Sequence, residues 1–136
     1  MADLLALELV TPERLLVRED VTTVQVPAKN GYLGVLPGHA PLLAELGTGS
    51  LYYETGGARH YIAVHGGFLE ILSDHVRVLA DAAERAEEID VDRAKAALKR
   101  AEEQVSNPSE GVDPALALGN LARAQARIDA ATQKAA

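Results

Sequence analysis

Ile89-Asp90-Val91-Asp92-Arg93-Ala94 is the point where one kind of chain ends and another begins. Asp90 is placed to cap a helix, because its carboxylate accepts a hydrogen bond from a free first-turn N–H. Arg93 sits in the first turn and Arg100 lies seven residues on. At about 100° per residue that is nearly two turns, so both guanidiniums share one helix face. Upstream of the stretch lie all five aromatics (Tyr32, Tyr52, Tyr53, Tyr61, Phe68) and most of the glycine. Downstream, alanine dominates: from Ala86 to Ala136, 14 of 51 residues are Ala and nine are Val, Ile or Leu. The chain therefore divides near residue 84, into parts spanning 1–84 and 85–136.

The upstream part reads as short strands. Val21, Val24 and Val26 among Thr and Gln give a half-buried strand with room for a bulge. Leu51 to Glu54 and Arg59 to Val64 flank Thr55-Gly56-Gly57-Ala58, a hairpin by its Gly-Gly turn. Phe68 to Leu72 and Val76 to Leu79 flank Ser73-Asp74-His75 as a second hairpin. Gly66-Gly67 leads into a strand and reads as a bulge or bend inside a sheet. Short strands separated by turns predict an antiparallel sandwich or barrel.

The downstream part reads as two helices. The first runs from about Val91 to Val105, with Val91, Leu98 and Val105 spaced by seven, and Asn107-Pro108-Ser109 with Gly111 stops it. Asp113-Pro114 starts the second, with proline at the first helical position, and Leu118, Leu121 and Ile128 form its stripe to about Ala131. The short connection makes an antiparallel hairpin. Alanine faces bury little area, and hydrophobic gain scales at about 25 cal/mol per Å². The expected fold is an all-β N-terminal sandwich followed by a weakly anchored C-terminal antiparallel two-helix hairpin, a candidate moving part.

Composition excludes several classes. A net charge of −7 lacks the basic footprint of a nucleic-acid binder. With no cysteine there is no disulfide, thiolate metal site or sulfur redox chemistry. No run approaches 18 apolar residues and Met1-Ala2-Asp3 is not a basic leader, so a soluble intracellular protein is expected. His39, His60, His65 and His75 are scattered without metal-ligand spacing. Gly47-Thr48-Gly49-Ser50 has no lysine or following helix and is no P-loop. No Ser/His/Asp order suggests a nucleophile.

Two features carry more. The stretch from Ala28 to Leu43 is dense in Gly and Pro yet holds large apolar residues. It reads either as a hairpin and rigid connection closing the sandwich, or as a rigid docking surface. The arginines are the second. Arg93 and Arg100 share a face of the first helix, and Arg123 and Arg127, four apart, share a face of the second. In a compact hairpin they converge near Glu84 and Asp90, where a polyphosphate would offset their repulsion through bidentate contacts. The competing reading is a solvated face neutralised by Glu102, Glu103 and Asp129.

Val10-Thr11-Pro12, Gly34-Val35-Leu36-Pro37-Gly38-His39-Ala40-Pro41-Leu42, Tyr61-Ile62-Ala63-Val64 to Gly66-Gly67-Phe68-Leu69-Glu70, and Ala82-Ala83-Glu84-Arg85-Ala86-Glu87 follow one another in this chain. In this order they closely resemble the epsilon subunit of bacterial F-type ATP synthase, over nearly the whole length. The resemblance implies a β-sandwich with a C-terminal helical hairpin, in a rotor-stalk protein that couples the membrane ring to the central shaft and inhibits ATP hydrolysis. It implies peripheral attachment at the cytoplasmic face of the bacterial membrane, with the gamma subunit and c-ring as partners. The implied rotor contact falls on Lys29, Asn30, Gly31 and Tyr32, and on His39, Ala40, Pro41, Leu42 and Leu43. In the extended state the hairpin would reach the beta subunits of the catalytic head.

ATP-binding members carry the motif Ile/Leu-Asp-x-x-Arg-Ala, which residues 89–94 match through Ile89, Asp90, Arg93 and Ala94. Arg100, Arg123, Arg127 and Glu84 fall where such members place other ligand contacts. The resemblance thus implies ATP as a regulatory ligand, with no required cofactor, no metal and no active site in this chain. Asp92, at a variable motif position, is expected to add an anion beside the site, and Gly119 costs the second helix up to about 1 kcal/mol. A reading from a different class, a free-standing β-sandwich binding module with a helical dimerisation tail, predicts a homodimer instead.

Overall fold

A computed structural model describes residues 3–109 and 111–133; the expected domain ends at Met1 and Ala136 lie outside them. Seven strands come first: β1 (Leu5–Val10), β2 (Leu15–Val21), β3 (Thr23–Ala28), β4 (Gly31–Val35), β5 (Leu42–Thr55), β6 (Ala58–Ile71) and β7 (His75–Arg85). A 3₁₀ turn (Ala86–Glu88) leads to α1 (Val91–Ser106) and α2 (Pro114–Ala131). The strands form one sheet in the order β2-β1-β7-β6-β5-β3-β4. Folded on itself, it closes over Leu5, Leu7, Leu9, Val24, Val26, Leu51, Ile62, Val64, Leu69, Ile71, Val76 and Val78, all 2% exposed or less.

Both expected hairpins form, with longer arms. β5 and β6 pair from Thr55↔Ala58 back to Leu42↔Ile71, so the Gly56-Gly57 turn closes a hairpin that runs the length of the sandwich. Both turn glycines have positive φ. Two expectations need correction. Val21 ends β2, separate from the strand of Val24 and Val26, because the chain turns at Thr22. The pairings are also not all antiparallel, since β1 runs parallel to β7. The expected bulge in the Val24–Val26 strand is present as a register shift between Gln25 and Ala28 against β5.

Gly66-Gly67 is a bend. Register with β5 and β7 stays in step through it. The core-facing parity nevertheless changes across the line in all three strands: Leu46 gives way to Leu51 on β5, Val64 to Leu69 on β6, and Ala80 to Ala83 on β7. Positive φ at Gly66 and Gly67 lets β6 make this turn without leaving the ladder. Tyr61, Ala63 and His65 therefore point away from the sandwich core on one side of the bend, and Phe68 on the other.

Asp90 caps α1, accepting from Arg93 N at 3.1 Å, and Asp113 caps α2, accepting from Ala115 N at 2.9 Å. The helices pack on each other, and α2 lies against β5 and β6. The seam differs from the expected stripe of large residues. Leu118 is 54% and Val105 38% exposed, while Ala94, Ala101, Ala117, Ala124, Ala126 and Ala130 are buried. Alanines let the backbones approach closely and leave longer side chains at the rim.

Candidate functional site

A cleft of about 450 Å³ opens where the end of β7, the 3₁₀ turn and the two helices meet. Its walls are Glu84 from β7, Glu88 from the turn, Asp90, Arg93, Ala94, Ala96, Ala97 and Arg100 from the start of α1, and Arg127 from α2. Small-molecule sites span about 300–1,000 Å³. Three carboxylates face three guanidiniums. Arg127 Nε donates to Glu84 Oε1 at 2.5 Å, a charge-assisted bond tying α2 to β7. Among the described residues, neither the Arg93 nor the Arg100 guanidinium has a carboxylate within 4 Å, so Glu102, Glu103 and Asp129 form no ion pair with them. Asp129 instead accepts from Gln125 Nε2 at 2.8 Å.

Most of the expected nucleotide residues meet here. Ala94, 3% exposed, lines the cleft, whereas Ile89, 8% exposed, lies outside its walls, buried with Ala94 in a cluster that includes Tyr61, Ala63, Ala126 and Ala130. Arg123 is a second exception. It lies outside the cleft, its Nη2 donating to Asn120 Oδ1 at 2.5 Å while its guanidinium covers Gly119. A side chain three residues from a hydrogen-bonding partner on its own helix satisfies itself locally. Asp92 is exposed and also outside the cleft, contrary to the anion expected beside the site.

Glu88 was missed, although it stands one residue before the motif. It accepts from Arg85 N at 3.1 Å and holds Arg14 by two bonds of 2.8 and 2.9 Å. The Arg14 hydrogen bond keeps the Glu88 carboxyl below the usual carboxylate range. Arg85 donates to the Leu16 carbonyl, a second link between the end of β7 and β2. These contacts fix the turn that aims α1.

The expected rotor residues split between two places. Lys29, Asn30, Gly31 and Tyr32 share a groove with Leu43, where Lys29 Nζ pairs with Glu45 at 3.0 Å and Tyr32 Oη accepts from Ser50 N at 3.2 Å. The loop of His39, Ala40 and Pro41 instead sits by the β6–β7 turn, held by Gly38 N to Ser73 O at 2.8 Å. Leu42, 38% exposed, opens β5 beyond it. Leu43 (77% exposed) also joins an exposed apolar patch with Phe68 (64%) and Leu79 (47%), two residues that sequence reasoning missed. Phe68 is thrown outward by the parity change at Gly66-Gly67, which strand alternation alone does not reveal.

Sheet, hairpin and cleft together define a β-sandwich protein with a helical hairpin docked on its outer face. Residues 4–86 match the family of ATP synthase delta/epsilon chain β-sandwich domains, and residues 87–132 that of the delta/epsilon chain long α-helix domains. The chain belongs to the ATP synthase delta/epsilon family. It is 65% identical to the ATP synthase epsilon chain of Solibacter usitatus, over 98% of this chain and all of that one. It is 48% identical to the epsilon chain of Nitratidesulfovibrio vulgaris, over 91% and 92% of the two chains. Among solved structures it resembles a chain of the Euglena gracilis mitochondrial ATP synthase, described as OSCP, F1 and c-ring, with TM-score 0.81 and 26% identity over 95% of this chain and 81% of that one. A central stalk and c-ring structure from Tetrahymena thermophila shares the fold at TM-score 0.58 and 12% identity, over 95% and 94% of the two chains.

Proposed function

We propose that this epsilon chain is a non-catalytic rotor-stalk subunit that joins the central shaft to the membrane c-ring and restrains ATP hydrolysis through its hairpin, with ATP holding the hairpin compact. It works at the cytoplasmic face of the bacterial membrane as a peripheral part of the synthase. The gamma subunit and c-ring meet the sandwich at Lys29 to Tyr32, His39 to Leu43 and the Phe68–Leu79 patch; the extended hairpin meets the beta subunits. Exposed apolar residues grouped beside polar ones favour such a permanent contact.

One observation carries the nucleotide reading: Arg93 and Arg100 of α1 face Arg127 of α2 across a cleft that exists only while the hairpin is folded on β7. A polyanion there offsets guanidiniums from two separable elements, and so binds one hairpin state and not the other. Such a ligand stabilises that state by about 2.7 kcal/mol at a hundredfold excess over Kd. Charge-assisted hydrogen bonds contribute roughly 1.5–3 kcal/mol each. Calorimetry of ATP binding is therefore expected to show Arg93→Ala and Arg127→Ala weakened on the order of tenfold or more. No heat with the unaltered chain, or equal affinity in all three, removes the nucleotide role.

A further inference from the structure

We infer that His65 is a proton switch beneath the hairpin: protonation of its buried imidazole releases α2 from the sandwich. The ring belongs to the face of β6 that carries Tyr61 and Ala63, on which Ala126 and Ala130 of α2 pack. It is 6% exposed, and among the described residues neither ring nitrogen has a hydrogen-bond partner. Nε2 lies 3.7 Å from Glu84 Oε1, the same oxygen that takes the Arg127 bond. The charged groups facing the ring are Glu84 from β7 and Arg127 and Arg123 from α2; its neighbours on β5, Thr48 and Ser50, are uncharged. On α1, Arg93 and Arg100 stand in the cleft with the Glu84–Arg127 pair.

This arrangement tolerates a neutral imidazole and not a charged one. An imidazolium needs a counter-charge, and Glu84 is already engaged. Drawing Glu84 to His65 strips Arg127 of its partner and leaves two guanidiniums facing a third cation. Burial and then Arg127 lower the His65 pKa to about 4, Arg123 adding to this and Glu84 opposing it. Undocking α2 lets water reach the ring, carries both arginines away and restores the ordinary value of 6.5.

The direction follows from linkage. A base whose pKa is lowered in the docked state favours docking fully above its undocked pKa. That preference fades as pH falls through 6.5 and is gone at about 4. Between pH 7.5 and 5.5 the docking equilibrium weakens about tenfold. Protons and a polyanion in the cleft thus pull the hairpin in opposite directions, and the proton effect does not depend on whether the cleft takes ATP.

Amide hydrogen exchange of the full chain without nucleotide, corrected for intrinsic rates, tests this at pH 7.5 and 5.5. Protection of the α2 amides around Ala124 to Ala130 is expected to fall about tenfold, that of Leu7 and Val78 in the sandwich to hold, and His65→Gln to abolish the change. An unchanged α2 in the native chain, an equal fall in His65→Gln, or a parallel fall in the sandwich overturns the switch. Should His65→Gln fail to fold, NMR titration of the native His65 ring decides: a pKa near 4 supports the switch and one near 6.5 overturns it.

Discussion

Glu84 shows how much one side chain decides in this protein. Its Oε1 accepts from Arg127 and lies within 4 Å of His65, so strand, helix and buried imidazole share one oxygen. Gly67 has the same weight for the backbone. Its φ is +126°, and an added Cβ would overlap the Leu79 carbonyl on β7, where both atoms are held by the ladder. Gly67→Ala is therefore expected to cost about 3 kcal/mol or more in chemical denaturation, since neither strand can yield. Gly56→Ala, at φ +59° in open space, is expected to cost about 1–2 kcal/mol, the left-handed penalty alone. Equal losses would mean the close approach to Leu79 does not matter. The cleft was largely legible at this scale, because Asp90, Arg93 and Arg100 lie close together on one capped helix. What was not legible came from competition in three dimensions: Arg123 finds Asn120, and Glu88 finds Arg14 across the sequence.

At the scale of elements, the hairpin is held by its smallest side chains. Ala101 of α1 is 2% exposed and Ala124 of α2 is 1% exposed, while Leu118 is 54% exposed. A larger residue in such a seam forces the helices apart at a cost of about 1–3 kcal/mol. Ala101→Leu is expected to loosen α1 from α2, read as lost amide protection in α1 with the sandwich unchanged. Leu118→Ala is expected to stay within about 0.5 kcal/mol of the unaltered chain. A seam built on the expected stripes of large residues predicts the reverse ranking. Those stripes, with the capping residues, located both helices and misled about their faces. Periodicity counts apolar residues but does not tell a buried alanine from an exposed leucine when the partner helix sits close. The strands were read better, because Gly-Gly and Ser-Asp turns state where hairpins close. The parallel pairing of β1 with β7 joins the two ends of the sandwich sequence, and no local pattern records it.

At the scale of the whole molecule, two buried clusters divide the labour. The larger is made wholly of residues from β1 to β7, and the smaller joins Tyr61 and Ala63 of the sheet to Ile89, Ala94, Ala126 and Ala130. Removing the hairpin leaves the first intact, so a chain ending at Ala86 is expected to fold cooperatively and still bind the shaft. An unfolded product, or a folded one that cannot join the complex, would place assembly in the helices instead. The smaller cluster is mostly alanine, and it buries modest area for a pair of helices this long. If the hairpin has a second state a few kcal/mol away, as proposed, a ligand preferring one of the two by about 5.5 kcal/mol moves the population from one extreme to the other. A covalent tie has the same effect without the ligand. The chain has no native cysteine to compete, so cysteines introduced at Ala63 and Ala126, two small residues of the same buried cluster, are the candidate pair for such a tie. If the extended hairpin is what restrains hydrolysis, oxidising that pair in the assembled synthase should raise ATP hydrolysis, and reducing it should restore the restraint. If ATP selects the compact state, as proposed, it would then lose its influence on the oxidised form, because that state is already fixed. Hydrolysis that stays restrained with the disulfide verified as formed would show that the compact hairpin inhibits as well as the extended one, and the conformational account of inhibition would fail.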